Sequence, residues 1–274
     1  MSVTPSSPLS SSPSSVAPPP PDLVAALRAA GCVFAEDEAR LLAEAARTPA
    51  DLAAMVRRRA AGHPLEHVLG WAEFCGLRIA VDPGVFVPRR RTEFLVGHAA
   101  RRLPRRRGTV AVDLCCGSGA VAAALATTAV GADVHAADID PAAVRCARRN
   151  LASLRARVYE GDLYAALPTG LRGRVAVLVA NAPYVPTGAI GLLPPEARDH
   201  EPRVALDGGA DGLDVQRRVA RAAADWLVPG GHVLVETSER QAPHSAAAFA
   251  AGGLRVEVVA CDDLDATVVI GTRA

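Results

Sequence analysis

From residue 109 onward the chain repeats one pattern. A short apolar run rich in β-branched residues ends in a polar or small residue, and a stretch with helical spacing follows. The runs are TVAVDLCC (109–116), DVHAADID (133–140), RVYEGD (157–162), VAVLVAN (175–181) and HVLVETS (232–238). Strands separated by helices pair in parallel, and a parallel sheet must be covered on both faces. The last two runs, LRVEVVACDD and ATVVIGTR, are joined by an Asp-rich turn too short for a crossover, so they predict an antiparallel hairpin. The fold class is therefore α/β, a doubly wound sheet. Such sheets bind ligands beyond the carboxyl ends of their strands. Each polar residue that ends a run lies there.

Upstream the character changes. Residues 1–21 are almost entirely Ser and Pro, a composition that cannot bury a core and predicts a disordered tail rather than a secretory signal. Residues 22–70 carry apolar positions at helical spacing (Leu23, Leu27, Leu41, Leu42, Leu52, Met55, Val56), broken at Gly31, Thr48-Pro49 and Gly62-His63-Pro64. They predict two or three short helices in a small domain, with Asp22 in a first turn. Residues 71–90 read as a β-hairpin linker, since Leu77, Ile79 and Val81 alternate with Arg78 and Ala80 before an Asp-Pro-Gly turn. No run approaches the ~20 apolar residues that span a bilayer. The six cysteines have no metal-ligand spacing, which points to a reducing, cytoplasmic setting. A net charge of +1 gives no global pull toward nucleic acid. The basic run Arg101–Arg107 is a local exception, read either as a solvated helix end or as an RNA-facing patch.

Four strand ends carry the chemistry. Asp113-Leu-Cys115-Cys116-Gly117-Ser118-Gly119 closes the first strand and opens a helix, where glycines permit close backbone approach and free N–H groups point outward. It is neither GxGxxG nor a P-loop, and a tight packing turn is the alternative reading. Asp138 ends the second strand, where an acid can accept both hydroxyls of a ribose. Its alternative role as a helix cap is already filled by Asp140 before Pro141. Asp162, followed by Leu163, ends the third strand where it would face an adenine amine; alone it is a common turn residue. The fourth strand ends in Asn181-Ala182-Pro183-Tyr184. The residue before a proline is held extended. The Ala182 carbonyl and the Asn181 side-chain oxygen can then accept both hydrogens of one amide or aryl amine, with Tyr184 packed on the substrate's flat face. An ordinary strand-to-loop turn with a buried tyrosine would have the same sequence.

Asn181-Ala-Pro-Tyr184 resembles the Asn-Pro-Pro-Tyr motif of methyltransferases that act on amide or exocyclic nitrogens. The surrounding stretches resemble the release-factor glutamine N5-methyltransferases more specifically. They are Pro64 to Phe74, Phe86-Val-Pro88-Arg89 with Thr92-Glu93, Asp113 to Gly119, Pro195 to Arg203, and Ala205 to Leu213. The resemblance runs from residue 22 to residue 274. It implies a Rossmann-like class I methyltransferase domain over 91–274 and a helical substrate-recognition domain over 22–70. It also implies S-adenosyl-L-methionine as cofactor, held at residues 115–119, Asp138, Asp162, Leu163 and Asn181. Phe86, Pro88, Arg89, Thr92 and Glu93 would line the substrate pocket. The implied partner is a peptide-chain release factor, methylated on the glutamine of its Gly-Gly-Gln loop by a monomeric enzyme. No metal, membrane or direct nucleic-acid partner is expected. One departure stands out, because Ala182 replaces the first proline of the motif; it keeps the carbonyl and loses rigidity.

An amide nitrogen is a poor nucleophile because its lone pair is delocalised. Accepting its two N–H groups at Asn181 and Ala182 would orient it and raise its electron density. Near-attack positioning of this kind is worth roughly 7–11 kcal/mol. The same chemistry on another protein glutamine or on adenine N6, and a non-catalytic adaptor keeping the fold, remain as alternatives. A nicotinamide oxidoreductase is disfavoured by the loop spacing and by Asn181.

Overall fold

The structure is a computed structural model that describes residues 21–274. The Ser/Pro tail falls outside the described residues except for Pro21, which opens the first helix. The chain divides into two compact units, with the boundary between Ala61 and Gly62.

The first unit holds three helices: α1 (Pro21–Ala29), α2 (Ala35–Ala45) and α3 (Pro49–Ala60). Asp22 lies in the first turn of α1. Thr48 caps α3 by accepting the Asp51 amide at 3.1 Å, with Pro49 pre-set for the first turn. Leu27, Ala35, Ala39 and Leu42 are fully buried between the helices. A buried ion pair, Arg59 to Glu38 at 2.6 Å, ties α3 to α2.

The second unit opens with a one-turn helix that the sequence reading did not anticipate, α4 (Leu65–Leu69), ended by Gly70 in the left-handed region. An antiparallel hairpin of β1 (Trp71–Phe74) and β2 (Leu77–Ala80) follows. The remaining order is α5 (Thr92–Arg102), β3 (Val110–Leu114), α6 (Ala120–Thr128), β4 (Asp133–Asp138), α7 (Pro141–Leu151), β5 (Ala156–Glu160) and β6 (Val175–Ala180). Then come α8 (Pro195–His200), α9 (Asp214–Trp226), β7 (Leu227–Thr237), α10 (Ala242–Ala251), β8 (Leu254–Cys261) and β9 (Ala266–Arg273). The sheet order is β5-β4-β3-β6-β7-β9-β8. The pairs from β5 through β7 are parallel, and β9 is antiparallel to both β7 and β8. The predicted final hairpin is present, and its second strand inserts between β7 and β8.

Apolar side chains cover both faces. One cluster joins α5, α6 and α7 to the sheet through Leu95, Leu125, Val134 and Val177. The other joins α9 and α10 through Val219, Trp226, Phe249, Val112 and Leu178. All of β3 and β6 is buried, as central strands of a doubly wound sheet require. The strand order reverses between β3 and β6, and the cleft opens beyond their carboxyl ends.

Candidate active site

Two adjoining cavities meet at Asn181. One, of about 870 Å³, is lined by residues from the ends of β3, β4 and β5, among them Cys115, Gly117, Asp138, Asp162 and Leu163. The other, of about 1210 Å³, is lined by Phe86, Arg89, Arg91, Ala182, Tyr184 and residues of α8. Asn181 also borders a smaller chamber floored by Pro88, Thr92, Asp113, Cys116 and Ser118.

In the first cavity the polar groups are arranged by nearby main chain. Asp138 accepts the amide of Gly117 at 2.8 Å and that of Asp140 at 2.9 Å. A carboxylate offers about four acceptor positions, so capacity remains for a ligand. Burial pushes its pKa above the usual carboxylate range. Asp140 in turn caps α7 through the Ala142 amide at 2.8 Å, and Pro141 begins the helix. Asp113 is buried against the start of α6, where it accepts the Ala122 amide at 3.0 Å. Burial lifts its pKa to about 8. Both Cys115 and Cys116 are pushed up by burial, so neither is a thiolate near neutral pH. Gly119 serves packing: its φ is +78°, and a Cβ there would lie 3.1 Å from that of Ala147 on α7.

Around the second cavity the side chains are held from far along the chain. Asn181 Nδ2 donates to Thr92 Oγ1 at 3.3 Å. Neither Asn181 Oδ1 nor the Ala182 carbonyl has a hydrogen-bond partner among the described residues. The Tyr184 hydroxyl accepts from Arg91 Nη2 at 2.7 Å and donates to Glu236 Oε1 at 3.3 Å. Burial, then Glu236, pushes the phenol pKa up to about 12, which keeps it a neutral donor. Arg89 Nη2 donates to both oxygens of the buried Glu201 at 2.6 Å, and Glu201 also accepts the Val87 amide at 3.1 Å. The segment Asp207–Asp214 lies directly on the tetrapeptide. Val185 donates to Leu206 O at 3.0 Å and Gly208 to Val185 O at 2.9 Å. A Cβ at Gly212 would lie 2.2 Å from the Tyr184 carbonyl oxygen, so only glycine fits.

Most of the sequence-predicted residues come together here. Cys115, Gly117, Asp138, Asp162 and Leu163 line the first cavity, with Pro183 at its border. Phe86, Arg89, Ala182 and Tyr184 line the second. Cys116, Ser118, Pro88 and Thr92 reach only the small chamber. Glu93 goes elsewhere: its carboxylate accepts the Cys75 amide at 2.9 Å and fixes the hairpin turn. Thr92 and Glu93 are the first two residues of α5, and with Thr92 turned to Asn181 its neighbour faces another way. Asp162 is also different from its expected state, because Arg218 of α9 donates to its Oδ2 at 2.5 Å. The sequence reading missed Arg218, Arg91 and Glu236. Only Glu236 had a signal, an acid inside the apolar run HVLVETS.

The first cavity fits a nucleoside without phosphate. Ile139 and Val204 are 52% and 48% exposed and border it together with Phe86 and Leu163, giving apolar walls suited to a flat base. Among the described residues that line it the one cation, Arg218, is paired with Asp162, so no unmatched positive charge faces a pyrophosphate. Residues 76–191 match the family model "Methyltransferase small domain". A release factor glutamine methyltransferase of Geobacter sulfurreducens is 43% identical over 199 residues, 71% of this chain and 68% of that protein. The chain belongs to the release factor glutamine methyltransferase family. It is a class I methyltransferase that uses S-adenosyl-L-methionine. The 4-amino-L-phenylalanine/4-methylamino-L-phenylalanine methyltransferase of Streptomyces pristinaespiralis is 41% identical over 203 residues, 72% of this chain and 69% of that protein. A methyltransferase structure from Pyrococcus furiosus superposes with a TM-score of 0.55 at 18% identity, covering 73% of this chain and 90% of that one, a likeness of fold.

Proposed function

We propose that this methyltransferase acts on the side-chain amide of a glutamine within a protein, that of the Gly-Gly-Gln loop of a peptide-chain release factor. The two relatives pose the choice: a glutamine in a folded protein, or the arylamine of a free amino acid. Both substrates present an –NH2 group, and only the second also carries an α-carboxylate. The observation that favours the protein is the charge state of the second cavity. Among the described residues that line it the cations are Arg89 and Arg91, and each is already matched by a buried glutamate, Glu201 and Glu236. Its lining adds the carboxylates of Glu66 and Glu196. A free carboxylate entering there meets no unmatched positive charge, whereas an amide within a peptide carries none to satisfy.

Bound S-adenosylmethionine supplies an electrophilic methyl group on a sulfonium. Asp138, with acceptor capacity left, and the apolar walls at Ile139, Val204 and Leu163 would hold the nucleoside. Asn181 Oδ1 and the Ala182 carbonyl accept the two amide protons of the glutamine and orient its nitrogen. Thr92 prevents the Asn181 amide from rotating. Tyr184 packs beside the planar amide. The segment around Leu206–Gly212 packs on Pro183, Tyr184 and Val185 and narrows the access of water to the tetrapeptide. The extra proton leaves to solvent water after transfer, when the methylated nitrogen has become acidic.

The helical unit would help hold the protein substrate. The enzyme works in the cytoplasm, as a monomer and without binding nucleic acid; among the described residues no helix is long and apolar enough to cross a membrane. The test is to compare turnover of an intact release factor, of a peptide with blocked ends containing Gly-Gly-Gln, and of 4-amino-L-phenylalanine. The release factor should be methylated fastest and the free amino acid slowest. A kcat/KM for the free amino acid above that for the release factor would reverse the assignment.

A further inference from the structure

The tetrapeptide Asn181-Ala-Pro-Tyr184 contains one proline, and its rigidity comes from outside. Thr92 holds Asn181 at one end. At the other, Gln241 Nε2 donates to the Tyr184 carbonyl at 2.9 Å, and the phenol closes a ring of three hydrogen bonds. Arg91 Nη2 donates to the phenol oxygen at 2.7 Å, Arg91 Nε donates to Glu236 Oε1 at 3.2 Å, and the phenol donates to the same oxygen at 3.3 Å. Adjacent residues at the start of α5, Arg91 and Thr92, therefore grip both ends of the tetrapeptide.

Glu236 is the anchor of this ring and an expensive one. It is 2% exposed, and its Oε2 has no hydrogen-bond partner among the described residues. A buried carboxylate oxygen without a partner is costly to the fold, so the residue is not explained by its own stability. It does not line the cavity, and so it acts through Arg91 and Tyr184, which do.

We propose that Glu236, through Arg91 and the Tyr184 hydroxyl, is a positioning residue that fixes the aromatic wall of the substrate cavity and sets the rate of transfer rather than the affinity for either reactant. This rests on the second cavity being the substrate site. Only when both hydroxyl partners are in place is the ring held at one angle beside the two acceptors, and orientation errors of this kind cost rate before they cost binding.

The experiment uses the full chain, S-adenosylmethionine and an unmodified release factor, with Glu236→Gln, Tyr184→Phe, the double variant and Arg91→Lys. Glu236→Gln and Tyr184→Phe should each lower kcat about tenfold to a hundredfold while KM stays within about threefold. Cofactor affinity by calorimetry should stay within about twofold. The double variant should be no slower than the slower single one, because both remove the same device. Losses that multiply in the double variant would overturn the proposal, as would a Glu236→Gln rate within about twofold of wild type. A fall in cofactor affinity parallel to the fall in rate would mark a merely structural role. Should Glu236→Gln fail to fold, the half-exposed Arg91→Lys carries the same prediction, and a wild-type rate there sinks it. Wild-type inactivity on the release factor is a failure of the substrate reading instead; the ratios are then measured on 4-amino-L-phenylalanine.

Discussion

At the ends of β3 and β4 the polar side chains are held by main-chain donors close by in the chain. Asp113 accepts from a residue nine positions on, and Asp138 from residues 21 and two positions away. At the ends of β6 and β7 the partners are remote. Thr92 and Asn181 are 89 residues apart, Arg91 and Tyr184 are 93, Arg89 and Glu201 are 112, and Arg91 and Glu236 are 145. The cofactor side is thus assembled as soon as neighbouring strands pair. The substrate side exists only in the finished fold, because each group depends on an element from elsewhere. Binding of the nucleoside and gripping of the amide should therefore be separable by mutation.

The largest separation is expected at Asn181. Asn181→Ala removes the unpartnered acceptor and should slow transfer about a thousandfold, an effect of ~4 kcal/mol. Cofactor affinity, measured by calorimetry, should change no more than a few-fold. Loss of cofactor binding in step with rate would show that the two sides are not independent.

Next comes Arg89→Met, which leaves Glu201 buried without its cation. Removing one partner of a buried pair costs about 3–5 kcal/mol, read from denaturant midpoints. The double variant Arg89→Met/Glu201→Met should recover most of that stability. A single variant as stable as wild type would mean that this long-range clamp is decorative.

On the cofactor side the expected signature is in pH. The Asp113 pKa is about 8 in the folded protein, against 3.8 for the free group. Between those values the unfolded chain has released the proton and the folded protein retains it. Stability from this group therefore falls as pH rises from about 4 to about 8, by up to about 1.4 kcal/mol per pH unit, and levels off above. Asp113→Asn keeps an acceptor for the Ala122 amide and lacks the titration. Its stability relative to wild type should rise across that window in melts at successive pH values. A constant difference would contradict the assignment of a protonated Asp113.

The smallest effect belongs to Arg218→Met. Its pair with Asp162 spans 56 residues and is half-exposed on both sides. Exposed pairs are worth at most about 1 kcal/mol. A larger loss would show that the cofactor side also relies on a remote clamp.

The same contrast decides what could be read from the sequence. The Gly-loop, Asp138 and the Asp140-Pro141 cap were legible because strand, punctuation and helix follow one another locally. The parallel order of strands and the closing hairpin were legible from the alternation, whereas the insertion of β9 beside β7 was not, since pairing partners leave no local mark. α4 is one turn long, too short for a periodicity to show. The tetrapeptide's chemistry could be argued from Asn181 and the proline that follows Ala182. Its supports could not, because nothing local links Arg91 to Glu236 or Arg89 to Glu201. Resemblance drew attention to the segments Phe86–Glu93 and Pro195–Arg203 as text, and the structure supplies the reason that they occur together: Arg89 of one holds Glu201 of the other. Glu93 shows the limit of that route, since a residue carried over with the motif turned out to brace the hairpin.

The central claim is that the strand ending at Asn181 presents two acceptors to a protein glutamine. Its most direct test is peptide mass spectrometry of an unmodified release factor incubated with this protein and S-adenosylmethionine. One added methyl group on the glutamine nitrogen of the Gly-Gly-Gln loop is the predicted result. Cofactor binding with the loop left unmodified, or a methyl group on any other residue, would contradict it.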